Sequence, residues 1–100
     1  MKNTLSLKLG VAYYNQGFFN IGKQYQDLLG LDGSTIKVQL GENTEHTITC
    51  YINRTANPIG TPRIMCGIDY TNWIQTTYQL GDTLVVDIMA DDLIKLRQPV

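Results

Sequence analysis

ITCYINRTANPIGTPRIMCGI, residues 48–68, decides how the chain folds. Ile48, Cys50 and Ile52 alternate on one side of it, and Ile64, Cys66 and Ile68 alternate on the other. Alternation with a period of two marks strands with one buried face. Antiparallel pairing about Pro58 matches the six residues one to one: Ile52 with Ile64, Cys50 with Cys66, Ile48 with Ile68. A slip of one residue would turn the whole set to solvent, so the register is specified. Asn57-Pro58 and Gly60 carry turn chemistry. The intervening NRTANPIGTPR, Asn53 to Arg63, therefore reads as the tip of a long hairpin, with Arg54 and Arg63 just beyond the apolar pairs.

The two cysteines then face each other inside. They read as a buried thiol pair, with a strained disulfide as the second reading. Two cysteines and the lone His46 supply no close-spaced ligand cluster for zinc.

Working outward, the same period recurs. Leu5, Leu7 and Leu9 alternate, as do Ile36, Val38 and Leu40; TLVVDIM (83–89) and DDLIKL (91–96) are further strand-like runs, and FFNI (18–21) is a short one. Two short helices are expected. In KQYQDLLG (23–30), Tyr25, Leu28 and Leu29 share a face and Gly30 is a natural stop. In DYTNWIQ (69–75), Tyr70, Trp73 and Ile74 repeat that spacing, with Asp69 as the expected N-cap. The order strand, short helix, strand occurs twice, joined by the long hairpin. That is the layout of a small, closed or nearly closed β-barrel with a helix at each open end.

One hundred residues make one domain, 1–100, and 43% hydrophobic against 17% charged residues is a globular rather than a disordered balance. No apolar run is long enough to span a bilayer, so no membrane partner is expected. MKNTLSLKLG lacks the apolar stretch of a signal peptide, giving the expectation of a cytoplasmic protein. The sequon Asn53-Arg54-Thr55 carries no weight without a secretory route.

The net charge of −1 speaks against a nucleic-acid binder until its distribution is considered. Residues 1–26 hold Lys2, Lys8 and Lys23 and no acid, and residues 46–68 hold Arg54 and Arg63 and no acid. A polyanion responds to one face, not to the total. Chance clustering is the alternative.

FFNIGKQYQDLLG, then STIKVQLGE, then the apolar hairpin, then a Trp-bearing helix followed by YQLGDTLVVDI, resembles the B3-type DNA-binding pseudobarrel over about residues 4–96. The chain looks closer to the bacterial branch, the recognition domains of restriction endonucleases of the EcoRII and BfiI kind, than to the plant transcription-factor branch. The resemblance implies a mainly β, seven-stranded open pseudobarrel with two short helices. It also implies double-stranded DNA as partner, a covalently linked nuclease domain in the full-length protein, a monomeric isolated domain and a bacterial cytoplasm. In that family two arms grip the major groove. The N-arm matches Lys8 to Gly17, and the C-arm matches Tyr51 to Arg63.

Base edges in the major groove present donor and acceptor pairs: arginine suits guanine, asparagine and glutamine suit adenine. The expected base readers are Asn15, Gln16, Arg54, Asn57 and Arg63. The expected backbone or positioning contacts are Lys8, Tyr13, Tyr14, Lys23, Asn53, Thr55 and Thr61. Each has a structural alternative: Asn57 can serve the turn, Tyr13 and Tyr14 can cover the barrel's open end, the arginines can be solvated, and Trp73 is read as core. No catalytic constellation is present. His46 is the only histidine, no nucleophile motif occurs, and Asp87, Asp91 and Lys95 read as a solvated surface and not as a nuclease site. Neither a metal nor a cofactor is expected. The rival reading is a protein-interaction or structural β-barrel module.

Overall fold

The computed structural model describes residues 3–99, so Lys2 of the first acid-free window lies outside them. Seven strands form one curled, open sheet: β1 (Asn3–Lys8), β2 (Phe18–Asn20), β3 (Thr35–Leu40), β4 (Thr47–Asn53), β5 (Arg63–Met65), β6 (Thr83–Ala90) and β7 (Leu93–Leu96). Their order across the sheet is β1-β6-β7-β3-β4-β5-β2, so β1 and β2 are its free edges. Every pair is antiparallel except β3 with β7. This is the open pseudobarrel architecture expected from the sequence.

Alternation drives the curl. Ile36, Val38, Ile52, Ile64, Leu84, Val86, Ile94 and Leu96 are completely buried inside it, together with Phe19 of β2. Burial of each such side chain contributes about 1.5–3 kcal/mol before chain entropy is counted. The helix α2 (Ile68–Thr77) adds Tyr70, Trp73 and Ile74 to this core, on the face that their spacing defines. The Tyr70 ring sits 5.4 Å from that of Phe19, and its hydroxyl donates to the Tyr13 carbonyl at 2.8 Å.

The hairpin holds the expected register where it is a ladder: Ile52 opposes Ile64. Beyond that pair the Cys50 and Cys66 sulfurs lie 2.6 Å apart as free thiols. The third pair does not form. β5 ends at Met65, Gly67 takes φ +72°, and Ile68 becomes the first residue of α2, 68% exposed. A left-handed residue breaks the strand, so the alternation of Ile64, Cys66 and Ile68 runs one step past it. The same turn makes Gly67, not Asp69, the N-cap; Asp69 sits in the first turn, where a negative charge suits the helix dipole.

Two further elements differ from expectation. The segment Lys23–Leu28 is a 3₁₀ helix, with Leu28 partly exposed and Leu29 buried. The link between β1 and β2, expected as a loop, contains one helical turn, α1 (Val11–Asn15). Across the sheet from the hairpin, Asp87 of β6 is fully buried and accepts from Arg97 Nε and Nη2 at 2.8 and 2.9 Å and from Thr4 Oγ1 at 2.7 Å. That clamp ties β1, β6 and the end of β7 together. Among the described residues, no helix is long and apolar enough to cross a membrane.

Candidate nucleic-acid interface

Because Phe19, Ile52 and Ile64 point inward, their neighbours point outward. The registers place them in two rows across β4, β5 and β2: Tyr51, Met65, Phe18 and then Asn53, Arg63, Asn20. No carboxylate stands in either row. The Arg63 guanidinium lies over the Phe18 ring, 4.1 Å from its centroid, and its Nε donates to Asn20 Oδ1 at 3.1 Å. Tyr13 meets the other side of this cluster, its ring edge-on to Phe18 at 6.0 Å. Arg63 is thus fixed on an aromatic support with its two terminal nitrogens unbonded among the described residues.

The expected arms leave opposite ends of this ribbon. The N-arm precedes Phe18, and the hairpin tip precedes Arg63. The N-arm is held down on both flanks. Leu9 exchanges backbone hydrogen bonds with Asp82 and Gly81, while the Gly17 carbonyl accepts from Cys66 and Gly67 N–H, both at 2.9 Å. A Cβ at Gly17 would stand 2.9 Å from the Gly67 Cα, so only glycine permits this approach. Within the arm, Tyr14 donates to the Tyr78 carbonyl, and Gln75 Nε2 donates to Asn15 Oδ1 and the Tyr14 carbonyl. Asn15 also donates to the Val11 carbonyl. Tyr13 and Tyr14 therefore dock α1 on the end of the barrel, their structural alternative. Gln16 is exposed with its side chain unbonded among the described residues, as are Lys8 and Lys23.

The hairpin tip is a hydrogen-bonded unit. Asn53 Oδ1 accepts from Thr55 N, Thr55 Oγ1 and Ala56 N, so Asn53 and Thr55 build an Asx turn. Thr61 is buried, and its carbonyl accepts from Asn57 Nδ2, which also donates to Asn20 Oδ1. Arg54 is the largest departure from the sequence reading. Its Nε donates to the Gly30 carbonyl, Nη1 to that of Gly60, and Nη2 to those of Gln26 and Leu29, at 2.8–3.2 Å. Four of its five N–H groups are engaged, so this conformation leaves no parallel pair for guanine. Arg54 instead staples the hairpin tip to the end of the 3₁₀ helix. The carboxylate of Asp32 accepts from the Arg54 backbone N–H at 2.7 Å and not from the guanidinium.

The ion pairs lie elsewhere: among the described residues, Lys95 pairs with Glu42 and Arg97 with Asp87. Lys95 holds the Glu42 carboxyl below its ordinary value. Contact with Cys50, then burial, pushes the Cys66 thiol far above its own, which removes the nucleophilic thiolate.

Asn20, Phe18, Tyr51 and Met65 were not among the residues expected at the site. For Phe18 and Asn20 the signal was hidden, because FFNI has two adjacent aromatics and shows no alternation until Phe19 is known to point inward; Tyr51 and Met65 alternate with the inward Ile52 and Ile64 and were legible only as outward-facing positions of the hairpin.

The fold places this chain among open β pseudobarrels. No protein-family model and no curated protein matches its sequence. Among solved structures it is similar to the N-terminal domain of Helicobacter pylori LlaJI.R1, with a TM-score of 0.70 and 13% identity over 100% of this chain and 82% of that one. At that identity the likeness is one of fold.

Proposed function

We propose that the chain is a sequence-specific double-stranded DNA-recognition domain of the B3 type, working as the recognition module of a restriction endonuclease whose cleavage site lies on another domain. The observation that carries this reading is the carboxylate-free ribbon of β4, β5 and β2, with Arg63 held on Phe18 and flanked by Asn20, Asn53 and Asn57. LlaJI.R1 is a restriction-modification protein, and the likeness of fold to its N-terminal domain supports the same reading. The three-residue strand β2 separates the roots of the two arms by roughly 10 Å of chain, comparable with the ~12 Å width of the major groove.

In this reading Arg63 and Asn57 read base edges from the C-arm, and Gln16 and Asn15 from the N-arm. Lys8 and Lys23 contact phosphates, Tyr13 supports Phe18, and Arg54, Asn53 and Thr55 shape the hairpin that presents the readers. With so few phosphate cations, binding has a shallow salt dependence and modest affinity. Selection of bound duplexes from a random pool tests the proposal: one enriched motif is expected, and an unenriched pool at low salt refutes it.

One observation favours the rival, a protein-interaction module. Val11 and Ile59 are 65% and 66% exposed at the tips of the two arms. Under that reading Val11→Ser and Ile59→Ser abolish partner capture, and no duplex is selected.

A further inference from the structure

Asn20 Oδ1 is shared by two donors, Asn57 Nδ2 at 3.0 Å and Arg63 Nε at 3.1 Å. The polarity of this trio is fixed by its ends. Arg63 Nε–H can only donate, so Asn20 must present oxygen to it. The Thr61 carbonyl can only accept, so Asn57 must present its amide nitrogen there, at 3.2 Å. Neither asparagine can flip without placing donor against donor or acceptor against acceptor.

This polarity decides what remains for a ligand. Both hydrogens of Asn57 Nδ2 are engaged, so Asn57 offers only Oδ1, an acceptor. Adenine readout by asparagine needs a donor and an acceptor together, which Asn57 lacks here. Arg63 has Nε engaged and its Cζ over Phe18, which leaves the Nη1 and Nη2 pair as a two-donor fork. A two-donor fork matches the O6 and N7 acceptors of guanine, and a lone acceptor matches the N4 amine of cytosine.

We propose that Asn20 is a positioning residue that sets Arg63 and Asn57 to read a guanine–cytosine pair. The inference rests on the DNA-binding function proposed above and adds the base pair and the residue that selects it. Asn20 acts through the other two: it removes the alternatives that a free asparagine and a free arginine would present.

The test uses the full chain and a duplex that it selects. Each guanine is replaced in turn by 7-deazaguanine, which lacks the N7 acceptor. At one position this replacement weakens the wild-type protein about tenfold, the low end of a bidentate pair. In Asn20→Ala the same replacement has less than about a twofold effect, and guanine–cytosine preference at that pair falls about tenfold while binding to a scrambled duplex is unchanged. Equal weakening of selected and scrambled duplexes by Asn20→Ala overturns the inference, as does indifference to 7-deazaguanine at every guanine. Failure to select any duplex sinks the DNA reading itself. Should Asn20→Ala not fold, the Arg63 Nε–H resonance of the wild-type protein decides. A sharp signal protected from solvent exchange supports the trio, and exchange at the rate of a free guanidinium overturns it.

Discussion

Replacing Arg54 by alanine should unfold the domain more readily before it touches binding. The side chain donates four hydrogen bonds to carbonyls of Gln26, Leu29, Gly30 and Gly60, three at the end of the 3₁₀ helix and one in the hairpin. A hydrogen bond to a charged group contributes about 1.5–3 kcal/mol net, but four bonds from one guanidinium do not add. Gln26, Gly30 and Gly60 are half-buried, so water can replace the arginine at those carbonyls; Leu29, at 6% exposure, sits deeper. Loss of the Leu29 interaction together with part of the others sums to about 2–4 kcal/mol. For a chain of this size that lowers Tm by roughly 10–30 °C. Arg54→Lys should recover less than half, because a single ammonium cannot reproduce the planar fork. The assay is thermal and urea unfolding followed by circular dichroism, with the denaturant slope unchanged. A loss below about 0.5 kcal/mol, the size of an ordinary surface substitution, would refute the staple and return Arg54 to the pool of free base readers.

Three further outcomes are expected. Arg63→Ala should cut affinity for a selected duplex at least about tenfold, about 1.4 kcal/mol, with a stability change of about 1 kcal/mol or less from the lost contact with Phe18, as titration and melting will measure. Arg97→Ala removes two charged bonds from the buried Asp87 carboxylate. It should lower the urea midpoint, by less than the loss of a fully buried pair would because Arg97 is nearly half exposed; an unchanged midpoint would contradict the clamp. Burial pushes the Tyr70 hydroxyl above its ordinary value of 10.0, so the folded state holds the proton longer than the unfolded state. Stability is therefore full below pH 10.0 and falls as pH rises beyond it; Tyr70→Phe should reduce that alkaline slope in urea unfolding, and an unchanged slope would contradict the burial argument.

The core was legible because burial imposes a period that survives in one sequence. Ile36 with Val38, Ile52 with Ile64, and Tyr70 with Trp73 and Ile74 all lie where their spacing places them. The end of β5 was not legible, since Cys66 and Ile68 continue the alternation and only the left-handed Gly67 stops it. Arg54 illustrates a deeper limit. Its carbonyl partners lie 24 to 28 residues earlier in the chain apart from Gly60, and no side-chain pattern marks a backbone acceptor. Two arginines flanking one turn look alike in sequence. The fold gives one to the backbone and leaves the other facing outward.

Amide chemical-shift mapping of labelled protein during titration with a selected duplex tests the central claim most directly. The account predicts the largest changes along residues 15–20, 51–57 and 61–65, with little at β6 and β7. Changes concentrated around Asp87 and Lys95, or none at saturating duplex, would contradict it.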